Sequence, residues 1–120
     1  METGSLNLVI AYIQPFQLDA VVDALRHTHG FAGLTTSMVR GLGARDSHPP
    51  RSGEQSEVDP FQTRVRLELF CRAADVIGMV EAIQEAAHTG NPGDGKIFVG
   101  SVTLAQRIRT GEWGEAALRP

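Results

Sequence analysis

The predicted order of secondary-structure elements places this chain in the α+β class, as one ferredoxin-like domain over residues 1–120. The elements run β-α-β, then a long loop, then β-α-β, which is the split β-α-β arrangement. A length of 120 residues suits one domain. Two helices cover only one face of a four-stranded sheet, and the last predicted strand is apolar on both faces. We therefore expect another subunit to cover the second face.

The first half of the chain predicts a strand, a helix and a strand. Residues Leu6–Ile13 are rich in β-branched and aromatic side chains, and Pro15 ends the strand. Apolar residues then recur at helical spacing and share one face: Leu18, Val21, Val22 and Leu25. The helix is predicted to stop at His29–Gly30, where glycine suits the position after a helix. Residues Leu34–Arg40 predict the second strand.

The second half repeats this order after a long loop. Residues 44–62 have no periodicity and contain three prolines, and a loop of this length is usually functional or disordered. Strict alternation over Arg64–Cys71 predicts the third strand. A second helix is predicted from Val76 to near Gly90, and the last strand over Lys96–Leu104.

Composition excludes several classes of protein. Eleven Lys+Arg against fourteen Asp+Glu give a net charge of −3, which argues against a general nucleic-acid binder. No apolar run approaches the roughly 18–20 residues of a membrane span, and the first residues do not resemble a signal peptide. Cys71 is the only cysteine, so it is expected in the core, and the chain in a reducing, cytoplasmic setting.

Glycine is the unusual component, with 13 residues in 120 against a usual share of about 7%. In the segment Thr89–Val99, Gly93 and Gly95 allow backbone N–H groups to face an anion, and Lys96 adds a point charge. The segment is not a Walker A loop, because the lysine is followed by a strand. Taken alone, the segment is better explained as a tight turn with a surface lysine.

Two further segments carry similar chemistry. Arg107 and Arg109 point to the same side of an extended segment and, with Lys96, would suit a polyphosphate. A solvated edge strand is the simpler alternative for them. The third segment is Arg40–Arg45, in which a strand enters the long loop through two glycines.

Together these segments resemble the PII signal-transduction family. Thr89–Val99 is similar to its C-terminal signature, which continues as Arg-Ile-Arg-Thr-Gly-Glu at Arg107–Glu112. Gly41-Leu42-Gly43 resembles the Gly-Phe-Gly before the T-loop of the family. Ile13–Asp19 resembles its Ile-Lys-Pro-Phe-Lys-Leu-Asp, and the likeness covers about residues 6–118.

The resemblance implies a regulatory sensor rather than an enzyme. It implies a homotrimer that binds ATP or ADP in clefts between subunits, with a T-loop at 44–62 that controls a membrane transporter or metabolic enzyme, and a tail at 105–120. Phosphates would meet the glycine turn and, from the adjacent subunit, the two tail arginines. Glu68 would meet the adenine. The nucleotide-binding residues so implied are Thr35, Gly41, Leu42, Gly43, Glu68, Gly93, Asp94, Gly95, Lys96, Arg107 and Arg109.

The predicted T-loop departs from the family pattern. The only tyrosine is Tyr12 in the first strand, which excludes tyrosine uridylylation in the loop; its serines, at 47, 52 and 56, are interpreted as polar loop residues. Arg45 stands where the family has a glutamine that helps hold magnesium and 2-oxoglutarate. Arginine has no acceptor atom, which argues against that arrangement and leaves the need for Mg²⁺ open. Arg45 and Arg64 are therefore candidate contacts for a phosphate or another small anion.

Two alternatives remain open from the sequence. A nucleotide hydrolase would use the same cations, but no carboxylate pair, Ser-His-Asp set or metal cluster is evident. A metal-tolerance trimer of similar architecture would use His27 and His29, which lie near a helix end. We interpret these two as a helix cap and a surface residue, and we expect no metal site.

Overall fold

The computed structural model describes residues 6–44 and 59–120. Short 3-10 turns precede both helices, at Pro15–Gln17 and Ala73–Asp75, and another lies near the C-terminus at Gly114–Leu118. The strands and helices are β1 (Leu6–Ile13), α1 (Leu18–Arg26), β2 (Thr35–Gly41), β3 (Gln62–Arg72), α2 (Val76–Ala87) and β4 (Gly95–Ser101). This order confirms the predicted ferredoxin-like fold.

The four strands form one antiparallel sheet in the order β2-β3-β1-β4. Both helices lie on one face, and alternate residues on that face are buried from Val9 to Ile13 in β1 and from Val65 to Cys71 in β3. The core consists of Val9, Ala11, Ile13, Val21, Leu25, Val65, Leu67, Leu69, Cys71, Met79, Ile83 and Ala87. Cys71 is a core residue, as predicted, and burial raises the pKa of its thiol.

The opposite face of the sheet, called the open face below, carries neither of the two α-helices. The register places Thr35, Glu68, Ile10 and Phe98 in one row across it, and Ser37, Arg66, Tyr12 and Lys96 in the next. Phe70 and Phe98 remain 43% and 55% exposed. The tyrosine and Phe98 rings meet edge to face at 6.4 Å. This is the apolar second face that the last strand predicts.

Two predicted boundaries were wrong by several residues. Helix α1 ends at Arg26, because the N–H groups of His27 and Thr28 bond three residues back and close a turn there. Gly30 does adopt a positive φ of 86°, but it lies in the connection that follows. Strand β4 ends at Ser101 rather than Leu104, and Val102 makes the next backbone bond, to the carbonyl of Leu6 at 3.0 Å.

The C-terminal segment forms a small hairpin outside the sheet. Gln106 and Trp113 pair as an antiparallel bridge, and the N–H of Arg107 donates to the carbonyl of Glu112 at 2.8 Å. Ile108 lies at its tip and is 100% exposed. Within residues 6–44 and 59–120, neither helix combines the length and apolar character needed to cross a bilayer.

Candidate functional site

The glycine-rich turn between α2 and β4 is closed by Asp94. Its carboxylate accepts the N–H of Thr89 at 2.7 Å and the N–H of Gly90 at 3.0 Å, and it also accepts the hydroxyl of Thr89. These bonds hold the pKa of Asp94 below its usual value, with the hydroxyl bond of Thr89 as the largest cause. Asp94 therefore builds the turn, and its carboxylate is engaged within the turn itself.

The backbone of this turn requires glycine. Gly93 and Gly95 have φ angles of 92° and 118°, in the left-handed region that side chains rarely adopt. A Cβ atom at Gly95 would lie 1.8 Å from the carbonyl oxygen of Tyr12. At Gly93, a Cβ atom would lie 3.3 Å from both Arg64 Nη2 and Gln14 Nε2. The turn thus packs directly against the ends of β1 and β3.

A groove on the open face brings the turn together with the start of the long loop. Its volume of about 1180 Å³ slightly exceeds the usual range of about 300–1,000 Å³ for small-molecule sites. Predicted site residues in its wall are Gly41, Leu42, Gly43, Arg64, Gly93, Asp94, Gly95 and Lys96. Sequence reasoning did not assign Tyr12, Val39, Arg66 and Phe98 to the site, although they also line the groove; their alternation within the strands was the available signal.

Positive charge in the groove is only partly compensated. Arg66 Nη1 lies 2.9 Å from Glu68 Oε2 and forms an ion pair. Arg64 Nη1 donates to the carbonyl of Thr63 at 2.9 Å, which leaves its charge without a carboxylate. Lys96 is the only lysine of the chain and has no hydrogen-bond or ion-pair partner among the described residues. Arg64 and Lys96 therefore make this end of the open face attractive to an anion.

Thr35 and Glu68 lie beside the groove rather than in its wall. They are opposite each other in the β2–β3 register, and both face the open side of the sheet. Their row borders the one that holds Arg66 and Lys96. Thr35 and Glu68 therefore share the open face with the groove without lining it, and the Glu68 carboxylate is paired with Arg66.

The remaining predicted residues are not in the groove of this protomer. Arg107 and Arg109 lie on the C-terminal hairpin, where Nη1 of Arg107 is 3.4 Å from the carbonyl of Pro120. Arg45 lies outside the described residues, as do the loop serines. The tail arginines would have to reach such a groove from another copy of the chain.

The two histidines have separate environments. His27 Nδ1 is 2.8 Å from the carbonyl oxygen of Asp23, whereas His29 Nε2 lies 3.9 Å from Asp75 Oδ1. Within the part of the chain that the structure describes, no three or more His, Cys, Asp or Glu side chains are grouped to hold a metal ion.

An ionic clamp lies where the long loop joins the sheet. Arg40, the residue before Gly41, pairs with Asp59, and its guanidinium carbon lies 5.1 Å from the ring centroid of Phe61. The N–H of Phe61 donates to Asp59 Oδ1 at 3.0 Å. The clamp joins the two ends of the loop, and Arg40 also lines the groove.

Comparison with known proteins gives a consistent match. The family model "Nitrogen regulatory protein P-II" matches residues 6–112. The chain is 44% identical over 113 residues to the P-II protein of Rhodospirillum rubrum, covering 94% of this chain and all of that protein. The P-II protein of Azospirillum brasilense is 43% identical with the same coverage.

The solved structure of Arabidopsis thaliana PII bound to citrate is similar to the whole fold. The TM-score is 0.79 at 32% identity, with 98% of this chain and 93% of that chain covered. The family model spans both helices and all four strands, so the match is not confined to one motif. This chain belongs to the nitrogen regulatory protein P-II family, and it is a regulatory signalling protein.

Proposed function

We propose that this protein senses ATP or ADP in the groove and passes the signal to a partner protein through residues 44–62. The observation that carries the proposal is the shared wall of the groove, which joins the glycine turn and Lys96 to the base of the long loop at Gly41–Gly43. A ligand bound there contacts the first residues of the loop. Loops that are ordered or released by a bound phosphate are a recurrent switching device.

The phosphates are assigned to the turn and its cations. Backbone N–H groups around Gly93 and Gly95, with Lys96 and Arg64, form an anion-binding concavity. Each charge-assisted hydrogen bond contributes about 1.5–3 kcal/mol. Two such bonds would supply a large part of the roughly 8 kcal/mol of a micromolar complex.

The adenosine is assigned to the row of the sheet that holds Thr35 and Glu68, and to the start of the long loop at Gly41–Gly43. Thr35 and the backbone of Gly41–Gly43 would hold the nucleoside, and Glu68 would meet the adenine. Arg66 occupies only one oxygen of the Glu68 carboxylate. The other oxygen can accept a hydrogen bond from an amino group, which favours adenine over a base that presents a carbonyl there.

The complete site is proposed to need a second subunit. The apolar open face would be covered in a homotrimer, and Arg107 and Arg109 would reach the phosphates from the adjacent chain. The exposed tip of the C-terminal hairpin supports this, because an isoleucine that is 100% exposed is costly unless a neighbour covers it.

A small anion is the proposed second ligand. The Arabidopsis relative was solved bound to citrate, and a carboxylate matches the charge of Arg64. Arg45 would assist from the loop. Neither arginine offers an acceptor to a metal ion, so any Mg²⁺ would be held by the phosphates and other groups, and titration with and without magnesium decides whether it is needed.

Isothermal titration calorimetry tests the proposal. ATP, ADP, AMP, 2-oxoglutarate and citrate would be titrated with and without magnesium. Lys96→Ala is expected to weaken ATP or ADP binding at least tenfold, since it removes one charge-assisted contact. Arg26→Ala, which removes an exposed charge on α1, is the matched control and should bind like the wild type. No binding of adenine nucleotide to the wild type would refute the proposal.

We expect binding without turnover. Among the described groove residues, the only carboxylate is that of Asp94, and its oxygens accept bonds from the turn. No carboxylate among the described groove residues is therefore free to activate water as a general base. Steady-state phosphate release from ATP above a trace would support a hydrolase instead.

A further inference from the structure

We propose that Gln14 is a positioning residue for the phosphate-binding turn. The inference rests on the proposed nucleotide site and assigns a role to a side chain that touches no ligand itself. Gln14 directly follows β1, and its Nε2 donates to the carbonyl oxygen of Gly93 at 2.8 Å. The two residues are 79 positions apart, so the sheet register alone brings them together.

The local chain geometry directs this side chain. Gln14 has an extended backbone, with φ −67° and ψ 136°, and continues the alternation of β1. It therefore faces the same side as Tyr12, which lines the groove. Pro15 then begins a 3-10 turn and leads the chain away. The amide is left at the end of the strand, beside the glycine turn.

The bond fixes more than one atom of the turn. A peptide unit is planar and trans, so holding the carbonyl of Gly93 also fixes the direction of the N–H of Asp94. Gly93 has a φ of 92°, and glycine imposes little barrier of its own to rotation of that peptide. Gln14 thus selects one orientation of the peptide between Gly93 and Asp94, which the local sequence does not fix.

The bond from Gln14 also keeps the guanidinium of Arg64 available to an anion. Arg64 Nη2 and Gln14 Nε2 lie equally close to Gly93, each 3.3 Å from the position of a Cβ atom there. If the glutamine did not satisfy the Gly93 carbonyl, this oxygen would be a nearby acceptor for the guanidinium. An internal acceptor would compete with an anion for the same N–H groups. Gln14 therefore protects the anion-binding capacity of Arg64.

Four variants test the inference by calorimetry with ATP and adenosine. Gln14→Leu and Gln14→Asn remove the donor or shorten its reach, and each should weaken ATP binding about five- to tenfold. Gln14→Lys keeps a long donor and adds a positive charge beside the phosphates, so it should bind ATP at least as tightly as the wild type. Gln17→Leu is the matched control, because the side chain of Gln17 makes no hydrogen bond within the described residues. Adenosine affinity should change less than twofold throughout.

A second readout separates this inference from the proposed function. In the nucleotide-free protein, the amide resonance of Asp94 should shift in Gln14→Leu and Gln14→Asn but not in Gln14→Lys or Gln17→Leu. If the wild type binds no nucleotide, the proposed function fails and this resonance alone decides the role of Gln14. If Gln14→Leu does not fold, the ATP affinities and Asp94 resonances of Gln14→Asn and Gln14→Lys decide whether Gln14 positions the turn. Wild-type ATP affinity in Gln14→Asn, with an unmoved Asp94 resonance, would overturn the inference.

Discussion

At the scale of single residues, Gly95 carries the strictest steric demand. Its φ of 118° and the 1.8 Å approach of a Cβ atom to the Tyr12 carbonyl leave no room for a side chain. Gly95→Ala should lower the free energy of unfolding by at least about 1–3 kcal/mol, the cost of such a backbone conformation. Urea denaturation at one fixed protein concentration would measure it.

Gly78→Ala is the matched control for this prediction. Gly78 lies within α2, and its nearest neighbour to a new Cβ atom is Thr28 Cγ2 at an ordinary 3.6 Å. Alanine is favoured over glycine in a helix by about 0.5–1 kcal/mol, so this variant should be slightly more stable. Equal effects of the two substitutions would contradict the steric argument.

Asp94 gives the turn a defined pH dependence. Its pKa in the folded protein lies below the ordinary value of 3.8, so its bonds to Thr89 and Gly90 favour the ordered turn fully above that value. They are lost as the pH falls below 3.8 and passes through the lower folded pKa. The amide shifts of Thr89 and Gly90 should therefore titrate only in that acidic range, as followed by NMR.

Asp94→Asn checks the assignment. The amide retains one acceptor oxygen but no charge, so the two amide shifts should no longer titrate below pH 3.8. A titration that persists in this variant would assign the effect to another group.

At this scale the sequence predicts the residue types of the proposed anion site but not the directions of its side chains. Gly93, Gly95 and Lys96 line one groove, and their spacing along the chain predicts this grouping. Asp94 was assigned to the phosphate side, yet its carboxylate turns back to Thr89. Local spacing does not distinguish an acid that faces a ligand from one that closes its own turn. Gln14 was missed because its partner is distant in sequence.

At the scale of elements, the clamp of Arg40, Asp59 and Phe61 controls the join between sheet and loop. Exposed ion pairs contribute only about 0–1 kcal/mol, so Arg40→Ala should change global stability by less than about 1 kcal/mol. Locally, however, the Phe61 N–H should exchange faster, because its acceptor Asp59 loses the cation that holds it. Hydrogen exchange measures this, with Arg26→Ala as the control that should leave Phe61 unchanged.

Strand β3 was predicted more accurately than the end of α1 or the end of β4. The alternation of apolar and polar residues locates β3, because successive side chains of a strand point to opposite faces of the sheet. The end of α1 was placed too late, since Gly30 was taken as its terminator. That glycine adopts its positive φ where a Cβ atom would lie 2.2 Å from Asp75 Oδ2, a tertiary constraint that the local pattern does not contain.

At the scale of the whole molecule, the open face predicts contact with another subunit, and the proposed assembly is a homotrimer. Phe70→Glu places a charge on this face and should shift the mass in solution from about three chains of 12.9 kDa toward one, because burying an unpaired charge is costly. Light scattering measures the change. Ile77→Glu, at a site 66% exposed on the outer side of α2, is the control and should leave the mass unaltered. A trimer that persists in Phe70→Glu would place the interface elsewhere.

The part of the proposed site that depends on assembly could not be predicted from the sequence. Apolar residues on both faces of β4 predict that something covers the open face. They do not predict which residues a neighbouring subunit would contribute to the site. Within a single chain, Arg107 and Arg109 lie away from the groove. That part of the site depends on how copies of the chain meet, and the pattern along a single chain does not encode it locally.

The solitary lysine has a consequence for covalent chemistry. Ten of the eleven basic side chains are arginines, which do not react as amines at neutral pH. Acylation of a lysine in this chain, by an enzyme or by a reactive acyl donor, can therefore fall only on Lys96. The modification would remove its charge from the wall of the groove. After correction for the terminal amine, a single acyl mass increment on the intact chain would thus indicate that Lys96 has lost its charge.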